Sequence, residues 1–219
     1  MDLKKFGDIM NTKQFQNAIA YSAISFGKLI AAIGQTPIEK LDPDLQNDLV
    51  LYSALIQTAA SAVLIDFTDT EPTAQLGFAL TFIGYGSFAL QFLRDVDDPN
   101  YLIVRARSAN LKEMLGNFIL TMAPNQAPYW KIGTIIVTLG NLLEALGRSE
   151  LLQQDNSSTL FNVSVTRGVW IQAIGWILLT LSYLHEIYLE PTDSPSSAAN
   201  CSRSQWSSVD FSQGLVPRF

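Results

Sequence analysis

The chain has 219 residues, of which 48% are hydrophobic and 16% are charged, and its net charge is −6. Soluble domains typically carry about 25% charged residues, so this chain is poor in charge. Its acidic balance and scattered basic residues argue against nucleic-acid binding, which needs a clustered Lys and Arg surface. One cysteine, Cys201, and one histidine, His185, exclude an intramolecular disulfide and the zinc motifs built on His pairs or Cys clusters.

Six stretches have the apolar periodicity of a helix, and breaks rich in proline, acidic residues or serine separate them. In chain order, we predict helices over 12–35, 45–66, 73–94, 107–122, 128–149 and 164–189. Asp44 is the expected N-cap of the second helix, and Thr70 or Thr73 that of the third. The stretch "YLIVRA" has the composition of a strand, but we interpret it as a lead-in to the fourth helix.

The last part of the chain has a different composition. Residues 191–219 are rich in serine and have no periodic apolar pattern. Such segments do not bury enough apolar surface to fold, so we predict a disordered tail. The expected organisation is a helical unit over 1–190 followed by this tail.

Glycines recur seven residues apart inside the predicted helices, although each costs a helix about 1 kcal/mol relative to alanine. The pattern is seen in "FGKLIAAIG", "LGFALTFIG", "IGTIIVTLG" and "GVWIQAIG", and degenerate copies are "LGNFILTMA" and "SALIQTAA". Seven residues are nearly two turns, so the two glycines of a pair lie on one helix face. We predict close helix packing, rather than ligand binding, at Gly27, Gly34, Gly77, Gly84, Gly116, Gly133, Gly140, Gly147, Gly168 and Gly175.

A copy of this repeat in each helix predicts an all-α fold. The architecture that follows is a six-helix bundle built from three related helical hairpins, with Gly-x6-Gly faces at the helix interfaces.

The phrases "GVWIQAIG", "IGTIIVTLGNLLEALG" and "FGKLIAAIGQTP" resemble small repetitive helical proteins of spore-forming Gram-positive bacteria. Those proteins repeat W-I-Q-A-x-G and G-N-x-L-x-A-x-G phrases. The resemblance covers the helices and not the serine-rich tail. It implies a bacterial protein, but the family has no established activity, so it implies no catalytic residue for this chain.

Two environments remain open for the bundle. Residues 76–93 approach the roughly 20 apolar residues that a membrane-spanning helix needs, and the sixth helix is similar. Trp130, Trp170 and Trp176 fit the pattern of interfacial anchors. These features favour a membrane protein.

The fifth helix favours the other environment, a bundle in water. Its polar residues Lys131, Thr134, Thr138, Asn141 and Arg148 form a stripe, which indicates an amphipathic surface helix or one that faces a pore. The fourth helix begins with polar residues, which do not suit a membrane span. The commonest membrane dimer motif has two glycines four residues apart, and this chain has no such pair.

No candidate for chemistry survives inspection. His185 and Glu186 form an acid–imidazole pair near a helix end, but no nucleophile or pocket is apparent, and we expect a solvent-facing histidine or one at the helix C-terminus. We expect Glu144 to be exposed or paired with Arg148 four residues on. The acidic run at 95–100 lacks the glycine and the final Glu of a calcium loop. We predict no catalytic residue, no cofactor and no metal.

Two functions are consistent with these observations. The first is a non-enzymatic structural or self-associating protein that packs through its glycine faces, with a second copy of the chain as partner. The alternative is a membrane-inserting or small integral membrane protein that uses the helices near 73–94 and 164–189. The expected location is accordingly the cytoplasm or a membrane, with no nucleic-acid partner.

Overall fold

The computed structural model describes residues 12–67, 71–94, 98–124, 126–153 and 162–189. These residues form six α-helices and no strand, which confirms the predicted all-α class. The helices are α1 (Thr12–Gly34), α2 (Pro43–Phe67), α3 (Pro72–Phe92), α4 (Pro99–Thr121), α5 (Pro128–Gln153) and α6 (Val163–Leu189). The predicted disordered tail 191–219, with Cys201, lies outside the described residues, and so do residues 95–97 of the acidic run.

Proline determines where four of the helices begin. It is the first residue of α2, α3, α4 and α5. Proline suits this position because its missing N–H would have no partner in the first turn and its φ angle is already helical. The residue before it caps the helix in α3 and α4, where the acidic side chains of Glu71 and Asp98 accept backbone N–H bonds.

The predicted caps and the start of α4 are wrong. The amide of Asp44 donates to Asp42 Oδ1 at 2.8 Å, so Asp42 takes the capping role and Asp44 lies inside α2. Glu71, and not a threonine, caps α3 by accepting from the Ala74 amide at 2.6 Å. The stretch "YLIVRA" belongs to α4, because Pro99 and its cap start the helix eight residues earlier than predicted.

The six helices form a closed ring. Each helix packs against the next one in the chain, and α1 also packs against α6. No other pair of helices is in contact within the described ranges. The three predicted hairpins, α1–α2, α3–α4 and α5–α6, are therefore the three walls of the ring, and only side chains cross its interior.

The interior has two layers of different chemistry. One is an aromatic layer made of Tyr21, Phe78, Trp130 and Trp176, in which the Tyr21 ring lies 6.2 Å from Phe78 and 6.3 Å from Trp176. The indole of Trp130 donates to the Tyr21 hydroxyl at 3.3 Å. This layer is the nearer of the two to the terminal end of the ring, where α1 begins and α6 ends.

The second layer is charged and lies nearer the distal end, where α1 ends and α2 begins. Two cations and two carboxylates are buried in it together with a glutamine. These charged-layer residues are Lys28, Glu113, Glu144, Arg148 and Gln172.

Candidate functional site

Each helix of the bundle carries large apolar side chains on its surface, while one interior layer is polar and charged, an arrangement unusual for a water-soluble domain. Every helix exposes large hydrophobic side chains and buries polar ones. The exposed set includes Phe26 and Ile33, Tyr52 and Leu55, Leu76 and Ile83, Leu115 and Phe118, Leu139 and Leu146, and Ile174 and Leu181. The buried polar set includes Lys28, Gln57, Thr81, Glu113, Asn141 and Gln172, one from each helix. Soluble monomers rarely expose apolar surface on this scale.

The glycine repeat encodes this inversion. At each of the ten predicted glycines, the preceding residue is exposed and the following residue is buried. In α5, for example, Leu139 is 56% exposed, while Asn141 on the other side of Gly140 is 0% exposed. The repeat therefore coincides with three faces of a helix: an outward stripe that is apolar except at Arg167, a glycine stripe and an interior stripe.

The glycine stripes lie where the two helices of a hairpin meet. A Cβ atom built on Gly140 would lie 2.7 Å from the carbonyl oxygen of Gly168, and a Cβ on Gly168 would lie 2.7 Å from that of Gly140. Gly86 differs, because a Cβ there would meet only Thr58 Cγ2 at 3.7 Å. The energetic role of the ten glycines stays a prediction, and Gly86 offers a control for it.

Lys28 joins the three hairpins across the ring. Its ammonium group donates to Glu113 Oε2 of α4 at 2.8 Å and to the side-chain carbonyl of Gln172 of α6. It also lies 4.7 Å from the centroid of the Tyr85 ring of α3. A carboxylate, an amide oxygen and an aromatic face thus surround one buried cation, a combination that satisfies both its charge and its N–H groups.

Arg148 occupies a second cage of the same composition. Its guanidinium donates to Glu144 Oε1 at 2.7 Å and to Gln35 Oε1 at 3.4 Å, and it lies 5.3 Å from the Phe88 ring. The aromatic residues of the two cages, Tyr85 and Phe88, are one turn apart on α3.

Gln172 links the two cages. Its amide nitrogen donates to Glu144 Oε2 at 2.7 Å, while its carbonyl oxygen accepts from Lys28. The result is one continuous network in which two cations balance two carboxylates. Buried charges need such pairing, because an unpaired one costs several kcal/mol.

Several threonine hydroxyls bond to their own helices. Thr58, Thr81 and Thr138 each donate to the carbonyl oxygen four residues earlier, at 2.7 to 2.8 Å. This arrangement satisfies a hydroxyl group without water or a partner helix. It suits a helix in a bilayer, where every polar group needs a partner within the protein.

Three small cavities follow one another from the distal end to the charged layer. The outer cavity, of about 290 Å³, is lined by Asp48 and Arg94, which are exposed, and by Gln91. A second cavity, of about 10 Å³, shares Gln91 with the outer one and Phe88 with the third. The inner cavity, of about 20 Å³, is lined by Lys28, Gln57, Tyr85, Asn110, Glu113 and Glu144, among others.

Two polar atoms at the inner cavity lack a protein partner. These are Gln57 Oε1, an acceptor, and Asn110 Nδ2, a donor, on side chains that are 2% exposed. A cavity of this volume holds about one water molecule, which needs roughly 10–15 Å³. Gln57 Oε1 offers such a molecule an acceptor and Asn110 Nδ2 offers it a donor.

Of the two settings predicted for the polar stripe of α5, the structure supports the inward-facing one and not the water-exposed surface. Thr134, Asn141 and Arg148 are buried and face the interior, so α5 is not a surface helix with its polar side in water. Glu144 is buried and paired with Arg148, which confirms the second of its two predicted settings and not the exposed one. His185 is exposed, as expected. Among the described residues, no group of three His, Cys, Asp or Glu side chains is placed to hold a metal ion.

Three of the described helices are long and apolar enough to cross a membrane by length and composition. The candidate segments are Lys13–Gly34, Pro43–Asp66 and Val163–Ile187. The last one was expected from the sequence. The expected span near 73–94 is not among them, because glutamines and glycines lower its hydropathy.

A comparison with protein families gives one match, over residues 16–180, to a family described as "Family of unknown function (DUF6944)". The match covers most of the chain and all six helices in whole or part. The chain belongs to this family. Searches of curated proteins and of solved structures found no match. The family has no known function, and membership in it assigns none to this chain.

Proposed function

We propose that the chain is a non-enzymatic integral membrane protein whose six helices span the bilayer around a charged interior. The observation that carries the proposal is the inversion of polarity. Large hydrophobic side chains face outward on every helix, while Lys28, Glu113, Glu144 and Arg148 are buried inside. This arrangement is favourable in lipid and unfavourable in water, because exposure of apolar surface to water costs free energy and polar groups in lipid need partners inside the protein.

The helix lengths support the same environment. The six helices contain 23, 25, 21, 23, 26 and 27 residues. At 1.5 Å per residue they are about 32 to 40 Å long. The hydrocarbon core of a bilayer is about 30 Å thick, so each helix has the length of a span.

Polar residues keep α3, α4 and α5 from being selected by hydropathy alone. The polar residues of α3, α4 and α5 lower the mean hydropathy of these helices, yet Thr81, Glu113 and Asn141 face the interior. Ionisable residues inside membrane bundles are usually paired and face the interior, and they mark sites of function.

We further propose that the glycine heptads hold each hairpin together and that the resemblance to the repetitive proteins of spore-forming bacteria reflects this device. Hydrophobic burial does not drive helix association in lipid, so close backbone approach through small residues takes its place. The reciprocal 2.7 Å distances at Gly140 and Gly168 support this account.

Membrane fractionation tests the proposal. The untagged chain is expressed, and the membranes are washed with alkaline carbonate, which removes peripheral proteins. We expect the chain to stay in the washed membranes. Recovery in the soluble fraction as a folded helical protein would contradict the proposal.

Thiol labelling gives the topology. Cys201 is the only cysteine, so it reports the side on which the C-terminal region lies. In a Cys201→Ser background, Lys13→Cys reports the beginning of α1. Six spans place both positions on the same side, so an impermeant maleimide labels both or neither in sealed vesicles. Labelling of only one would exclude six spans.

A self-associating bundle in water is the second candidate, favoured by the same exposed apolar stripes. In water these surfaces would need copies of the chain to cover them. This candidate predicts a large soluble oligomer without detergent, so the fractionation experiment separates the two functions.

A further inference from the structure

The three cavities and the aromatic layer divide the interior into an open half and a closed half. The cavities share lining residues in sequence: Gln91 and Leu102 join the outer cavity to the second, and Gln35 and Phe88 join the second to the inner one. Toward the terminal end, the aromatic layer follows, and Phe78 and Trp176 in it are 1% and 0% exposed.

Polar side chains line each of the three cavities, beside apolar ones. Asp48 and Asn47 lie at its outer cavity, Gln91 and Arg148 line the second cavity, and Lys28 and Glu113 line the inner one. Gln57 Oε1 and Asn110 Nδ2, both without a protein partner, lie where the path ends. Buried polar atoms of this kind indicate a hydrogen-bonding occupant of the size of water.

We propose that these cavities form a one-ended inlet that brings water and water-sized hydrophilic cations, hydronium above all, from the distal end to the Lys28–Glu113 pair and no further. The inference rests on the proposed membrane function, because a one-ended inlet is meaningful only where the two ends face different aqueous phases. It assigns the polar core a role in exchange with one side of the membrane.

All six helices contribute a side chain around the pair at the end of the inlet. Glu113 of α4 meets Lys28 of α1 and shares its cavity with Tyr85 of α3 and Glu144 of α5. The neighbouring helices α2 and α6 contribute Gln57 and Gln172, which carry no charge. A hydronium ion that reaches this point transfers its proton to the Glu113 carboxylate and leaves one water molecule, while Lys28 keeps its own proton.

Two serines of α2 give a matched pair of probes. Ser53 and Ser61 are 1% and 0% exposed, and their Cα atoms are about 12 Å apart along the helix. Ser53 lines the inner cavity, whereas Ser61 lines none of the three cavities of the inlet. Serine to cysteine is the smallest change that introduces a thiol, so both variants keep the packing nearly intact.

The experiment measures how fast silver ions, which are water-sized monovalent cations, react with each thiol. Ser53→Cys and Ser61→Cys are placed separately in the full-length Cys201→Ser chain in membrane vesicles. After exposure to silver nitrate, the protein is unfolded and its remaining free thiols are labelled with a maleimide. Asn47→Cys, at the outer cavity, is the positive control.

We expect silver to block Asn47→Cys and Ser53→Cys and to spare Ser61→Cys, with a rate difference of about tenfold or more between the two serine sites. Equal rates at Ser53→Cys and Ser61→Cys, whether fast or slow, would overturn the inlet. If either serine variant loses its helical circular dichroism, Asn110→Cys and Ser182→Cys replace the pair. A chain that stays in carbonate-washed membranes but gives equal rates refutes the inlet alone, whereas a chain found in the soluble fraction refutes the membrane function itself.

Discussion

The charged layer and the aromatic layer occupy the same ring and have the same apolar exterior, yet they are held together differently. In the aromatic layer, Tyr21, Phe78 and Trp176 fill the interior as in an ordinary protein core. In the charged layer, the interior depends on defined partners: Lys28 with Glu113, and Arg148 with Glu144. The difference teaches that one kind of exterior encloses two interiors, one held by apolar packing and the other by defined ion pairs.

The largest expected effect comes from breaking an ion pair in the charged layer. Lys28→Met leaves Glu113 buried without its cation, which costs about 3–5 kcal/mol in the free energy of unfolding. Thermal unfolding in detergent, followed by circular dichroism, measures the loss. The double variant Lys28→Met, Glu113→Gln removes both charges and is expected to regain most of the stability. If the single variant melts like the wild type, the pair does not hold the hairpins together.

The next effect concerns the exterior that both layers share. Leu139 is exposed near the middle of α5. In a bilayer, Leu139→Arg replaces a favourable residue by one that costs about 3 kcal/mol at the centre of a span, so membrane insertion falls. In water the same change on an exposed site would be nearly neutral. The ratio of membrane-inserted to soluble chain measures the effect, with Lys40→Arg, in the α1–α2 connection, as the control.

The smallest predicted effect comes from a substitution in the glycine stripe, which leaves both interior layers unchanged. Gly140→Ala forces a Cβ atom against the Gly168 carbonyl oxygen, and we expect a loss of about 1–3 kcal/mol, as for other overpacked sites. Gly86→Ala is the control, because the space there is open, and it should be neutral or slightly stabilising, since alanine is the better helix former. Equal melting temperatures for the two variants would contradict close packing at the heptad glycines.

Most of the fold could be predicted from the sequence, because helix periodicity and breaks are local signals. The start of α4 was missed because the β-branched residues of "YLIVRA" masked a helix whose real signal was Asp98 followed by Pro99. The cap of α2 was misassigned because Pro43 was taken as part of the break and not as the first helical residue. With the helix starting at Pro43, the residue before it, Asp42, is the cap.

The site was harder to predict, because a polar stripe does not tell which side of a helix faces outward. In α5 the order Leu139, Gly140, Asn141 contains the missing information. The glycine face meets the partner helix, so one flanking face is the exterior and the other is the interior. The flank with a large apolar residue at all repeats except Gly168, where Arg167 stands, is the exterior. The cages around Lys28 and Arg148 could not be predicted from the sequence, because most of their members come from different helices across the ring and no sequence spacing connects them.

Two native tryptophans of α6 allow the most direct test of the inverted bundle. Trp170 is 39% exposed on the outer surface, whereas Trp176 is 0% exposed in the aromatic layer. Variants that keep one of the two, with the other tryptophans changed to phenylalanine, are reconstituted in bilayers of brominated lipids, which quench only the fluorophores they touch. The account predicts strong quenching of Trp170 and little of Trp176. Equal quenching of both residues, or of neither, would contradict a lipid-facing apolar surface around a protected interior.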